Sequence, residues 1–186
     1  LACNVLLLGD SISSGYGITT EKTWANILKD KLNEHHADLK NLSVSGYTSK
    51  SGLEMLNNHL LNDHPDIVIV ELGGNDALQF IAPSQFKENL INLDKLSEKH
   101  HFSLVILGIR LPPNMPPSYR EAHQNVYLEL LKKHPGTTDL LKEVIEKNLF
   151  QADQIHPNNE AQLLIFKQAW PHIQEALKKR CHEGSQ

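Results

Sequence analysis

A chain of 186 residues with 40% hydrophobic and 22% charged side chains is long enough for one cooperative core. Its 10 Gly and 9 Pro are too few for a collagen-like, disordered or low-complexity polymer. Eighteen Lys or Arg against 22 Asp or Glu leave a formal charge of −4, so no broad positive field exists to draw in a nucleic-acid backbone. No apolar run reaches the ~18 residues of a membrane span, and Cys3 and Cys181 are too few for a disulfide framework, although one terminal bridge is open to them.

The apolar run 5–8 reads as an interior parallel strand ending at Gly9-Asp10-Ser11. Trp24, Ile27, Leu28 and Leu32 then recur at helical spacing after the polar Thr19-Thr20 start. A second strand over 39–44 leads through Ser45-Gly46 into a helix marked by Leu53, Leu56, Leu60 and Leu61. Pro65-Asp66 introduces the β-branched run 67–72, which delivers Gly73-Gly74-Asn75-Asp76 to a strand end. Phe86, Leu90, Leu93 and Leu96 predict the next helix, followed by a strand over 104–109. Pro112, Pro113, Pro116 and Pro117 exclude regular helix across the following loop and favour a stiff extended wall.

A further helix is predicted over 126–131, whereas Leu141, Val144, Ile145 and Leu149 in 140–150 suit helical packing at least as well as a fifth strand. The last helix starts at Pro157-Asn158, turns Ala161, Leu164, Ile165 and Ala169 toward the core, and is bent or interrupted at Pro171. Lys178, Lys179 and Arg180 read as its solvated end, and His35-His36 and His100-His101 as loop or helix-end residues. The βα alternation predicts a single α/β domain over 1–186, built as a three-layer α/β/α sandwich.

Four short motifs carry the chemistry. In GDSIS (9–13), Ser11 follows a strand, and Gly15 and Gly17 permit a close turn behind it. A serine hydroxyl needs a base to become a strong nucleophile, and DQIH (153–156) offers one: His156 to take the proton, Asp153 to hold the imidazole tautomer. In GGND (73–76), the Asn75 amide can donate to a developing oxyanion, with Asp76 capping a helix or bracing the loop, and Gly46 adds a candidate backbone donor. Alone, each motif is more simply a turn, a cap or a surface histidine; together they supply nucleophile, base, orienter and oxyanion donors.

The order GDSIS, Ser45-Gly46, GGND and DQIH, with LLLGDSISSGYG, VELGGNDAL, IRLPPN and IHPNNEAQ along nearly the whole chain, resembles the SGNH (GDSL) hydrolase superfamily. It looks particularly like the bacterial thioesterase I/protease I/lysophospholipase L1 branch. The resemblance implies a flavodoxin-like fold with a mostly five-stranded parallel sheet. It assigns the nucleophile to Ser11, the acid-base pair to Asp153 and His156, and the oxyanion hole to Ser11, Gly46 and Asn75. Two departures stand out: GTTDLLKEV replaces a clearer final strand, and Gln154 stands where the family commonly has Gly, which is harmless only if that turn needs no positive φ.

The implied chemistry is serine-dependent hydrolysis of acyl esters, acyl thioesters or lysophospholipids, with neither metal nor other cofactor. Leu78, Phe80, Ile81 and Met115 are candidates for an acyl groove, with core packing a comparable reading. Two alternatives use the same scaffold: a carbohydrate acetyl esterase, and a non-catalytic lipid- or glycan-binding module. The expected partner is a small substrate rather than nucleic acid, with no stable membrane insertion and a monomeric working unit. The resemblance and a start without Met directly before the first strand suggest a periplasmic or secreted chain.

Overall fold

The structure is a computed structural model describing residues 2–182. Five strands, β1 (Cys3–Gly9), β2 (Ala37–Asn41), β3 (Ile67–Glu71), β4 (Ser103–Leu107) and β5 (Gly136–Thr137), form one sheet in the order β2-β1-β3-β4-β5, with every pairing parallel. Residues α1 (Ser11–Ser14), α2 (Trp24–Glu34), α3 (Ser49–His59), α4 (Gly74–Leu78), α5 (Pro83–His100), α6 (Pro117–Leu131), α7 (Lys142–Glu146) and α8 (Ala161–Leu177) are helical. This is the flavodoxin-like order. Its topological switch point is the crevice between the carboxyl ends of β1 and β3, where chain direction across the sheet reverses.

Strand side chains alternate between two cores. Val5, Leu7, Ile67, Ile69, Val105 and Leu107 pack toward α2 and α8, while Leu6, Leu8, Val68, Val70, Leu104 and Ile106 pack toward α3, α5 and α6. Both faces are covered, so these strands read as unbroken apolar runs rather than alternating ones. Each such side chain contributes roughly 1.5–3 kcal/mol by leaving water. Among the described residues, no helix is long and apolar enough to cross a membrane.

Most predicted elements are present, with four shifts. The second strand ends at Asn41 instead of running over 39–44, because the Asn41 side chain accepts from Ser43 N (3.0 Å) and turns the chain; Leu42 N and Val44 N still reach back to β1 carbonyls. The ambiguous stretch 140–150 supplies the short helix α7, and the fifth strand is only Gly136–Thr137, ended where Asp139 N bonds Thr137 Oγ1 (2.9 Å). α6 starts at Pro117, well before residue 126, since a proline fits the first helical turn, where its missing N–H is not needed. Pro171 does not interrupt α8: it lies on an exposed face, where the carbonyl it leaves unpaired can be hydrated.

A disulfide between Cys3 and Cys181 joins the start of β1 to the π-helical turn Lys178–His182 that follows α8, a sequence separation of 178 residues. The bridge lies at the amino edge of the sheet. The seven residues of β1 put it roughly 20 Å from the loops that follow the strands. Reducing it, or Cys181→Ser, is expected to lower unfolding free energy by about 2–4 kcal/mol while leaving turnover of the still-folded protein intact. Chemical denaturation with and without dithiothreitol, read beside initial rates, checks both.

Candidate active site

The carboxyl ends of β1 and β3 lie side by side, with Gly9 paired to Glu71. The residues that follow, Asp10-Ser11 and Gly73-Gly74-Asn75, therefore flank one crevice. Asp10 caps α1, its Oδ1 accepting from Ile12 N (3.0 Å), and half-buried Ser11 is the first residue of that helix. The Ser11 carbonyl accepts from Gly15 N and Tyr16 N, closing a tight turn.

Asn75 enters from β3. Gly73 has φ +124°, and a Cβ there would stand 2.2 Å from the Tyr127 hydroxyl, so only glycine lets the chain turn at this point. α6 fixes the turn from behind: Tyr127 donates to Leu72 O (2.7 Å), and His123 Nε2 bonds Gly73 O (2.8 Å). Burial pulls the His123 pKa down, so the neutral ring donates through Nε2. The Asn75 amide donates one hydrogen to Tyr47 O (2.9 Å), which orients its plane and leaves its second N–H available. Asp76 accepts from Ser49 N (2.8 Å) and Ser49 Oγ (2.6 Å), tying α4 to the start of α3; it braces the loop. Gly46 is exposed, with φ +88°, and Ser45 Oγ bonds Ser14 Oγ at 3.0 Å.

Asp153 and His156 occupy one turn before α8. Asp153 Oδ2 bonds His156 Nδ1 (2.6 Å), and its Oδ1 accepts from Ile155 N (2.9 Å) and His156 N (3.0 Å). The His156 hydrogen bonds and that of Ile155 pull the Asp153 pKa down to about 2, so it accepts as a carboxylate from Nδ1–H. Nε2 is then the basic nitrogen.

Two contacts hold this turn against the serine loop, and neither was visible as a motif. The Tyr16 and His156 rings lie 4.2 Å apart, and Gln151 Nε2 donates to Tyr16 O (2.8 Å) and Pro157 O (2.9 Å). Gln151 N also donates to His156 O (2.7 Å).

Leu78 and Phe80 are exposed, at and just after the end of α4. Phe80 meets Tyr119 edge-on at 5.7 Å, and the Tyr119 hydroxyl donates to Ile81 O (2.6 Å). Half-buried Met115 sits just before α6, where its carbonyl accepts from Arg120. Past β4 and β5, Arg110, Asp139, Leu141, Lys142, Ile145 and Glu146 line an open cavity of about 340 Å³.

Sequence reading also passed over two buried acids. Asp10 and Glu71, 3% and 2% exposed, hydrogen-bond to one another, and Ser13 Oγ donates to Glu71 Oε1 (2.6 Å). Only the pairing of β1 with β3 makes them neighbours.

Gln154 has φ +61°, so the Asp153–His156 turn does need the left-handed conformation that the family's Gly would adopt freely. Strain of roughly 1–3 kcal/mol is held there. Gln154→Gly is expected to keep kcat within about threefold, whereas β-branched Gln154→Val lowers it about tenfold or more at similar KM. Steady-state kinetics on the two folded variants check this.

Comparison with known proteins shows the family. Residues 7–164 match the model of the GDSL-like Lipase/Acylhydrolase family. The chain is 35% identical over 183 residues to "Esterase TesA" of Pseudomonas aeruginosa, covering 95% of this chain and 90% of the relative. It is 35% identical over 167 residues to "Thioesterase 1/protease 1/lysophospholipase L1" of Escherichia coli strain K12, covering 88% and 80%. The crystal structure of TesA matches with a TM-score of 0.87 at 35% identity, over 94% of this chain and 99% of that one. The chain therefore belongs to the GDSL-like Lipase/Acylhydrolase family, within the SGNH hydrolases.

Proposed function

We propose that this chain hydrolyses acyl esters and acyl thioesters through an acyl-enzyme on Ser11. The observation that carries the reading is the Asp153–His156 pair at 2.6 Å, on a loop tied to the serine turn through Gln151 and Tyr16. With Nδ1 committed to Asp153, Nε2 takes the Ser11 proton as the hydroxyl attacks the carbonyl, and Asp153 stabilises the imidazolium that forms. The tetrahedral oxyanion is met by Ser11 N–H, Gly46 N–H and the second N–H of Asn75, donors that need no reorganisation during attack. His156 then protonates the leaving alcohol or thiol and activates water to release the acid.

Asp153 stays ionised down to about pH 2, so it serves the imidazolium across the working range of the base. The exposed Leu78 and Phe80, with Ile81 and Met115, form the proposed acyl-facing wall, and lysophospholipids fall within the same class of acyl donor. A chain held by burial alone discriminates length only modestly. The substrate is a small acyl donor handled by a single-domain monomer. A periplasmic or secreted site is supported by the Cys3–Cys181 disulfide, a bond that persists in oxidising compartments.

Ser11→Ala is expected to fold and to lose kcat on the order of a thousandfold or more. An active-serine phosphonate should label the unmodified chain and not the variant. A panel of p-nitrophenyl esters from acetyl upward, acyl thioesters, lysophospholipid and acetylated sugar checks the substrate class. Unimpaired turnover by Ser11→Ala removes the assigned nucleophile, and activity confined to acetylated sugar replaces the acyl-chain reading.

A further inference from the structure

Asp10 and Glu71 sit at the topological switch point, at the ends of adjacent strands, and the mechanism above uses neither. Gly9 makes their approach feasible: a Cβ at that position would stand 2.7 Å from Glu71 Oε1 and 2.8 Å from Ser13 Oγ, so any side chain there would push Glu71 away. Two buried carboxyl groups in hydrogen-bond contact cannot both be anions, because neither could then donate and their charges would repel in a low dielectric. One proton between them gives a donor and an acceptor.

The surrounding groups say which acid holds it. Asp10 already accepts from Ile12 N, a bond that favours the carboxylate, and it lies within the field of His156. Glu71 is more deeply enclosed, and burial followed by the Asp10 charge holds its pKa well above the usual carboxylate range. Burial outweighs the hydrogen bonds that favour its carboxylate and raises Asp10 to about 6 from its ordinary 3.8. Of the groups facing the pair, α6 supplies the Tyr127 phenol, itself kept protonated by burial, and the loop before α8 supplies His156. α1 contributes the Ser13 hydroxyl, and Asp76 of α4 bears on Tyr127.

We propose that Glu71 is a positioning residue: it retains its proton at neutral pH, donates it as a hydrogen bond to the Asp10 carboxylate, and thereby holds the cap that sets Ser11 and its backbone N–H. The inference rests on Ser11 being the nucleophile. The chain of contact runs from Ser13 to Glu71, from Glu71 to Asp10, and from Asp10 to the first turn of α1, so the acid pair braces the turn that carries position 11 from both sides.

The pH sign follows. A carboxyl whose folded pKa is raised contributes stability in its protonated form, and that contribution is lost as pH rises through the folded value. Ionisation of Glu71 on the alkaline side places a second anion against Asp10 and loosens the turn.

Glu71→Gln keeps a donor that cannot ionise, whereas Glu71→Ala keeps none. Glu71→Ala is expected to lose kcat about tenfold or more with KM within about twofold, and Glu71→Gln to recover most of that loss. The alkaline fall of kcat and of melting temperature in the unmodified protein should flatten in Glu71→Gln. Infrared spectra of the intact protein in D2O should show a protonated-carboxyl stretch at neutral pH that Glu71→Gln abolishes. If Glu71→Ala does not fold, the Gln profile and the infrared band decide. No such band, or a Gln variant with the unmodified alkaline limb, overturns the proposal. Active Ser11→Ala would remove the nucleophile reading and leave the infrared band untouched, so the two failures are distinguishable.

Discussion

The parallel pairing of β1 with β3, in the register that sets Gly9 against Glu71, is the constraint on which the rest of the molecule depends. A slip of one residue would send every leucine of β1 into the opposite core, where the close-packed neighbours are shaped for other side chains. With that register set, Ser11 and Asn75 leave neighbouring strand ends and arrive at one crevice without any long-range polar contact having to bring them there. The apolar energy of the sheet is converted in this way into positional accuracy at a polar site.

The carboxyl edge then carries three kinds of polar support. Asn75 is oriented through the carbonyl of Tyr47, and its strand exit through Tyr127 and His123 of α6. His156 is oriented by Asp153 within its own turn, so the two side chains are held as one unit. That unit is located by Gln151 and Tyr16, which bridge 135 residues of sequence. Local hydrogen bonds shape each motif, and a few long-range ones dock it.

Local order explains what could be read from sequence. The apolar runs of β1, β3 and β4, the stripe of Trp24, Leu28 and Leu32, and the four motifs are each specified within a few residues, so periodicity and turn chemistry exposed them. The end of β2 was not legible, since it hangs on one Asn41 side chain, and β5 is two residues whose place comes from pairing with β4. The run through Pro171 depended on which face of α8 meets water. The Asp10–Glu71 contact and the Gln151 bridge join residues 61 and 135 positions apart, respectively, and no spacing rule reaches that far. The Gln154 conformation was a conditional in the sequence and became a fact only with its φ.

Stability and chemistry are placed at opposite edges of the sheet. At the amino edge the Cys3–Cys181 bridge joins the two ends of the described fold, where constraint on the unfolded chain adds stability without touching reacting groups. At the carboxyl edge the fold holds costly features together: two buried acids, a glutamine in the left-handed region, and exposed Leu78 and Phe80. Relaxation of these features would shift the strand ends and turns that carry Ser11, Asn75 and His156. The β1–β3 register holds the acid pair, α6 holds the Gly73 turn and packs on Phe80, and the Gln154 turn is closed by its own bonds through Gln151 and Asp153, which is how a stable sheet can carry a site that is locally unfavourable.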